Sequence, residues 1–134
     1  MAETKRKGQA AELAVMAFAI DRGYRVSLPF CEDTPYDMIV DRAGRLERVQ
    51  CKYTESDGRV VLVRCRCTNN WVDTRYTAES IDWIATYDQT TKQCFFVPAT
   101  MLGDEGRTVV HLRLSPSANG QRVGVRWAKD FTNW

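Results

Sequence analysis

The sequence predicts an α+β fold in which one N-terminal helix packs on a mixed β-sheet. Apolar residues recur at helical spacing over residues 5–22, and Gly23 follows as a helix stop. Short alternating runs come next, first as three strands and then as further strands with little helix between them. This order of elements is typical of α+β proteins. The residues that carry the helical pattern are Ala10, Leu13, Ala14, Ala17 and Phe18.

The strands follow from apolar alternation and from the turn residues between them. Residues 24–28 alternate as a first strand. A glycine-containing turn at 42–45 separates strands at 37–41 and 46–53, which predicts a hairpin. The later elements are predicted as a turn at 55–58, a strand at 59–66, an irregular or weakly helical segment at 68–80, a hairpin of strands at 81–87 and 93–97, one helical turn at 99–102, a last strand at 108–114 and a loop at 115–120.

Length and composition limit the classes of protein that fit this chain. It has 134 residues, 44% of them hydrophobic, which predicts a single domain over 1–134 with a buried core. No apolar run is long enough to cross a membrane and no signal-peptide pattern precedes the helix, so a cytoplasmic protein is expected. The formal net charge of +2 does not by itself indicate a nucleic-acid partner.

The cysteines do not form a disulfide or zinc pattern. There are five, an odd number, and no Cys-x-x-Cys occurs, so a disulfide framework is not expected. Cys65 and Cys67 lie in a strand-like run, where small buried hydrophobic side chains are favoured over a zinc site because zinc usually needs wider spacing and further ligands.

The candidate site lies at the hairpin. Asp37 heads one strand, Gln50 and Lys52 alternate on the next, and Glu12 interrupts the apolar pattern of the helix. Carboxylate and amide oxygens suit Mg²⁺, and a lysine can steady or deprotonate water or neutralise phosphate charge. The set therefore suits metal-assisted attack on a phosphodiester. The alternative is that the polar side of the strand is a solvated face, but a Glu12 that faced the sheet would need a cation or hydrogen-bond donors.

Three motifs in order resemble the PD-(D/E)xK nuclease superfamily, and within it the group I intron-associated homing endonuclease family. They are Lys7-Gly8-x-x-x-Glu12, Pro35-Tyr36-Asp37 and Gln50-Cys51-Lys52, the last in the Gln-x-Lys form of that family. Tyr76 and the segments 81–88, 96–98, 119–120 and 125–128 are also similar to it. The resemblance implies a restriction-endonuclease-like core with the N-terminal helix on one face of the sheet, and a metal-dependent endonuclease that cuts DNA.

The resemblance also implies a role for each site residue. Asp37 is expected to be the main metal ligand, and Glu12 to bind a metal or orient its water. Gln50 takes the place of the usual second carboxylate, the Cys51 carbonyl completes the shell, and Lys52 is the catalytic lysine. The expected cofactor is Mg²⁺ or Mn²⁺. Because Gln50 is neutral, a second metal is less favoured and affinity for the first is expected to be weaker.

Double-stranded DNA is the expected partner. Arginine outnumbers lysine in the second half of the chain, which suits bidentate phosphate contacts, although each such arginine alone also fits a solvated face. A chain this short is expected to act as a homodimer or homotetramer. The C-terminal aromatics Trp127, Phe131 and Trp134 either supply that interface or pack on their own core. The expected DNA-binding residues are Lys7, Arg59, Arg64, Arg66 and Arg113.

Three other functions stay open at the level of sequence. The first is a structure-selective nuclease resembling archaeal Holliday junction resolvases, which normally carry Glu where Gln50 stands. The second is a non-catalytic DNA-binding protein on a degenerate nuclease fold, which the neutral Gln50 permits. The third and most distant is a metal–thiolate protein.

Overall fold

The computed structural model describes residues 2–69 and 71–134 and contains one α-helix, nine strands and two short 3₁₀ helices within them. The elements are α1 (Glu3–Asp21), β1 (Arg25–Ser27), β2 (Met38–Arg42), β3 (Arg45–Thr54), β4 (Val60–Arg64), β5 (Arg66–Asn69), β6 (Val72–Arg75), β7 (Trp83–Asp88), β8 (Gln93–Pro98), a 3₁₀ helix at Ala99–Leu102, β9 (Val109–Arg113) and a second 3₁₀ helix at Ala128–Phe131.

The central sheet is mixed and has five strands in the order β1-β2-β3-β7-β8. The β3–β7 pair is parallel and the other pairs are antiparallel. Strands β4 and β9 form a second, two-stranded sheet, and β5 and β6 form a third. The predicted α+β class, a restriction-endonuclease-like core with the N-terminal helix on one face of a mixed sheet, is confirmed.

The β2–β3 hairpin forms as its turn chemistry predicts. Ala43 (φ 55°) and Gly44 (φ 87°) both take the left-handed conformation of a tight hairpin turn, and the Asp41 carboxylate accepts a hydrogen bond from the Gly44 N–H at 2.9 Å. Met38 pairs with Val49 in the resulting register. This register places the start of β2 beside the middle of β3.

Helix α1 packs on one face of the central sheet. The side of the helix that is buried differs from the side that its apolar pattern predicted. Ala11, Val15 and Ala19 are fully buried, whereas Leu13 is 64% exposed. Apolar residues surround most of the helix, so spacing alone does not select the packed face. Small side chains at every fourth position allow the helix to lie close to the sheet, which places the neighbouring Glu12 at the sheet surface.

The second face of the central sheet is covered by the β4–β9 pair. Gln50 lies beside Ile84 in the β3–β7 register, and Lys52 lies beside Thr86. The polar side of β3 therefore points toward the second layer and is half-buried, not a fully solvated face. The buried side chains between the layers include Val61, Val63, Ile84, Phe95, Val97, Val110 and Leu112.

Two predicted segments are wrong. The predicted strand at 59–66 is two strands, because the chain changes its pairing partner at Cys65. The Cys65 N–H still donates to Thr108 O, next to β9, at 3.0 Å, whereas the Cys65 carbonyl accepts the Tyr76 N–H, next to β6, at 3.0 Å. The segment at 68–80, expected to be irregular or weakly helical, contains β6, which pairs antiparallel with β5. Cys65 is buried in the core between the central sheet and the β4–β9 sheet, and Cys67 packs against that core.

The C-terminal tail packs on the chain's own core. The Trp134 ring stacks on Phe96 with centroids 4.7 Å apart, and Tyr24 meets it edge-on at 6.0 Å. Phe131 packs against the core between the layers. No helix in the described part of the chain is long and apolar enough to span a membrane.

Candidate active site

The β2–β3 hairpin fixes Asp37 against β3. The Asp37 N–H donates to Val49 O at 2.8 Å, and its carboxylate oxygen Oδ2 accepts the Cys51 N–H at 2.8 Å. These two bonds clamp the side chain beside the backbone of the Gln50-Cys51-Lys52 segment. The hairpin therefore brings together the acid and the lysine motif that the sequence singled out.

Helix α1 adds a second carboxyl group to this position. Glu12 lies close enough to Asp37 for each carboxyl group to shift the pKa of the other. Burial raises the pKa of Glu12, and the charge of Asp37 raises it further. Burial also raises the pKa of Asp37, against the opposing effects of the Cys51 N–H, Glu12 and the Lys52 ammonium. Two partly buried carboxyl groups this close together repel each other when both are ionised. A proton shared between them or a bound cation relieves that repulsion.

The remaining oxygen atoms of the predicted ligand set are neutral. The Gln50 amide Nε2 donates to the Cys51 carbonyl oxygen at 3.1 Å, so both groups lie on the same stretch of β3. The Cys51 thiol points into the core beneath α1, where burial first, and then the charges of Asp37 and Glu12, raise its pKa well above its ordinary value. The candidate donor from Cys51 is therefore its carbonyl oxygen and not its sulfur.

Lys52 lies on the same strand, under the start of β5. Its Nζ donates to the Arg66 carbonyl at 3.2 Å and lies 5.2 Å from the centroid of the Tyr76 ring. Burial lowers the pKa of Lys52, while the nearby charge of Asp37 opposes that change. A lysine held this way can present a positive charge to phosphate, and its lowered pKa makes the neutral amine more accessible as a proton acceptor.

The donor chemistry of the site fits a hard divalent cation. Among the described residues there is no group of three or more His, Cys, Asp or Glu side chains that could hold a metal. The available set is instead two carboxylates with raised pKa values, one amide and one backbone carbonyl. These are oxygen donors of the kind that Mg²⁺ accepts together with water.

A groove of about 640 Å³ opens beside the site. Lys7 and Arg64 line it together with Lys52, and Lys7 forms an ion pair with Glu55 at 3.4 Å. Arg66 stands at the neighbouring ribbon, where it pairs with Asp73 at 3.6 Å. Two members of the predicted DNA-binding set, Lys7 and Arg64, therefore share the groove with Lys52, and Arg66 contacts Lys52 through its carbonyl.

The other two predicted DNA-binding residues lie elsewhere. Arg59 comes directly before β4, and its carbonyl accepts the Leu114 N–H at 2.7 Å. The Arg113 guanidinium donates to the carbonyls of Ser115 (3.0 Å) and Pro116 (3.2 Å). Neither residue is among those that line the groove.

Sequence reasoning did not place Tyr76 beside Lys52, nor the Arg66 carbonyl over the lysine ammonium. Tyr76 entered only as a point of family similarity. No local signal marks either contact, because β3 and the β5–β6 hairpin meet only in the folded chain.

The geometry agrees with comparisons to known proteins. The family model for PD-(D/E)XK endonucleases matches residues 2–134. Among solved structures, the bacterial homing endonuclease I-Ssp6803I superposes with a TM-score of 0.67 and 27% sequence identity, covering 90% of this chain and 84% of that one. No curated protein matches the sequence. The helix, the hairpin with its acid and lysine motif, and a family match across the whole described chain together establish that this chain belongs to the PD-(D/E)XK endonuclease family.

Proposed function

We propose that this chain is a metal-dependent, site-specific DNA endonuclease of the homing type, which hydrolyses phosphodiester bonds in double-stranded DNA. The observation that carries the proposal is the placement of the Glu12–Asp37 pair against the Cys51-Lys52 segment of β3, because Lys52 lines an open groove together with Lys7 and Arg64. The similarity to a bacterial homing endonuclease supports the type of reaction.

Each side chain of the site has a separate role in metal binding or in catalysis. Asp37, fixed by the Cys51 N–H, and Glu12 hold Mg²⁺ or Mn²⁺ with the Gln50 amide and the Cys51 carbonyl. When bound, the ion supplies Lewis acidity that lowers the pKa of water and offsets charge on the phosphate. Lys52 places its ammonium at the scissile phosphate, or accepts a proton from the attacking water as the free amine.

Basic residues around the site are proposed to hold the DNA backbone. Lys7 and Arg64 line the groove itself, and Arg66 stands next to it. Arg59 and Arg113 would contact DNA only if it extended past the β4–β9 sheet. Each phosphate contact steepens the dependence of affinity on salt by about 0.9 log units per log unit of salt. A flat salt response would contradict DNA binding by this surface.

The direct test is nicking of supercoiled plasmid in Mg²⁺. Asp37→Ala is expected to abolish nicking and to leave DNA binding intact or tighter, because a negative charge beside the phosphate is removed. Asp21→Ala, at the exposed end of α1, is the matched control and is expected to nick like the wild type. Full nicking by Asp37→Ala would refute the site.

The same assay separates the alternatives. Preference for a four-way junction over linear duplex would indicate a nuclease of the junction-resolving kind. DNA binding without nicking at any Mg²⁺ or Mn²⁺ concentration would indicate a non-catalytic binder, in line with the neutral Gln50.

A homodimer or homotetramer is part of the proposal, because one chain carries one such site and a double-strand cut needs two. Exposed apolar side chains are available for an interface, including Leu13 and Ile20 on α1. Size-exclusion chromatography with light scattering measures the assembly, and a monomer at the concentrations that cut both strands would contradict it.

A further inference from the structure

We propose that the antiparallel ribbon formed by β5 and β6, named here the β5–β6 ribbon, lies in a groove of the DNA beside the cleaved phosphate and reads sequence there. This inference rests on the DNA endonuclease function proposed above. All four residues of β6 are exposed, and Trp71, directly before β6, is 100% exposed with a φ of 67°. Strand β6 therefore has little role in the core and presents its side chains to a partner.

The base of the ribbon is attached to the active site. The first carbonyl of β5, that of Arg66, accepts the hydrogen bond from Lys52 Nζ at 3.2 Å. Where the ribbon closes, the Tyr76 N–H donates to Cys65 O at 3.0 Å, and the Tyr76 ring lies over the lysine ammonium. A phosphate held by Lys52 therefore lies next to the base of the ribbon, and the adjoining duplex must pass along it.

A close contact between Gly106 and the end of β6 fixes the orientation of the ribbon. Gly106, with a φ of 78°, lies so close to the base of β6 that a Cβ there would stand 2.6 Å from the Arg75 Cβ and 3.1 Å from Tyr76 O. Only glycine allows this approach. The loop thus packs directly against the backbone of the ribbon, which gives the ribbon a fixed orientation relative to the lysine.

The charges on one face of the ribbon suit a polyanion. Arg66 and Arg75 stand directly opposite each other in the β5–β6 register, an arrangement that places like charges side by side. Asp73 balances one of them through its 3.6 Å ion pair with Arg66. No ion pair between described residues includes Arg75. A phosphate between the two guanidinium groups would relieve the repulsion and accept bidentate hydrogen bonds.

The dimensions of the ribbon suit a DNA groove. Each strand has four residues, a length of about 13 Å. This corresponds to about four base-pair steps, and the major groove admits a two-stranded ribbon. The exposed Thr68 hydroxyl, on the same face as Arg66 and Arg75, can bond to base edges, and the Trp71 ring offers apolar or stacking contact. We therefore assign phosphate contact to the arginines and base contact to the outer part of the ribbon.

Two variants and one control test the assignment. Arg75→Ala keeps the Cβ that touches the Gly106 loop and removes the charge, and Trp71→Ala removes the exposed ring. Arg25→Ala, on the exposed edge strand β1, is the matched control. Binding is measured by fluorescence anisotropy on a labelled double-stranded oligonucleotide of mixed sequence, without divalent metal and over a range of salt. Nick positions are mapped by sequencing the ends of Mg²⁺-treated plasmid.

The expected results differ for the two variants. Arg75→Ala should weaken binding across sequences and reduce the salt slope by about one. Trp71→Ala should weaken binding at least about fivefold and change the distribution of nick positions. Both should keep the wild-type Mg²⁺ midpoint for nicking, and Arg25→Ala should match the wild type in every measurement.

Failure of the ribbon is distinguishable from failure of the function. If the wild type binds and nicks DNA while both variants keep its affinity, salt slope and nick positions, the ribbon is not a DNA-reading element. If the wild type neither binds nor nicks DNA, the proposed function fails and the ribbon assignment fails with it.

Discussion

Replacing Gln50 with glutamate tests how the neutral amide at this position limits the affinity of the site for metal. In the wild type the Gln50 amide donates to the Cys51 carbonyl at 3.1 Å. A glutamate carboxylate would lose that donor and would stand as a third acid beside Glu12 and Asp37, whose pKa values burial already raises. The variant should therefore be less stable than the wild type without metal and should bind metal more tightly.

The magnitude follows from two contributions. The lost hydrogen bond is worth about 1 kcal/mol. If the new carboxylate came within about 5 Å of the Asp37 or Glu12 charge, the two would repel by about 3 kcal/mol at an effective dielectric constant of about 20. A divalent cation that relieved half of this repulsion would gain about 1.5 kcal/mol, which tightens binding about tenfold. The metal-free variant should lose about 1–3 kcal/mol of unfolding free energy, because partial protonation of the three acids limits the repulsion.

Two measurements on the same protein preparation check this prediction. Thermal unfolding with EDTA and with Mg²⁺ gives the stability change and its recovery by metal, and a Mg²⁺ titration of plasmid nicking gives the midpoint. Gln121→Glu is a matched control, because the exposed Gln121 amide also donates to a carbonyl, that of Val123 at 3.3 Å, in a loop outside the site. It should change neither the Mg²⁺ midpoint nor the response of stability to Mg²⁺.

The outcome that refutes the reasoning is an unchanged midpoint. If Gln50→Glu nicks plasmid with the wild-type Mg²⁺ dependence, Gln50 does not contribute to metal binding. The candidate ligands would then be Glu12, Asp37 and the Cys51 carbonyl.

Three further predictions concern catalysis, packing and pH. Lys52→Met should lower the nicking rate at least about a hundredfold with the fold retained by circular dichroism, and a near wild-type rate would make Lys52 a structural residue. Trp134→Ala should lower the unfolding free energy in urea by about 3–5 kcal/mol, because the ring is buried and stacked; a change below about 1 kcal/mol would contradict the packed tail. Burial opposes ionisation of Asp88, yet hydrogen bonds from Ser56 and Thr91 outweigh it and lower its pKa, so this carboxylate stabilises the fold above about pH 4 and the contribution is lost in acid. Asp88→Asn should therefore lower stability at neutral pH and flatten its dependence on pH in the acid range, and a wild-type acid profile would contradict this.

The sequence by itself determined the hairpin and the register of its polar residues. The Ala43-Gly44 turn fixes which residue of β2 lies opposite which residue of β3, so the position of Asp37 beside the Gln50-Cys51-Lys52 segment follows from local chemistry. The ordered motifs also identified the nuclease family, because their spacing is a property of the sequence that does not depend on distant contacts.

The tertiary structure decided everything that joins distant segments. The apolar surface of α1 did not indicate its packed face, and only close packing of Ala11, Val15 and Ala19 on the sheet brings Glu12 to Asp37. Likewise the β5–β6 ribbon was not predicted, since both strands are short and all four residues of β6 are exposed, so β6 has no buried face to give an alternating pattern. The surroundings of Lys52 depend on where that ribbon closes. Turns and motif spacing can thus be predicted from the sequence, because they depend on neighbouring residues. Contacts between distant elements cannot, because they depend on the packing of the whole chain.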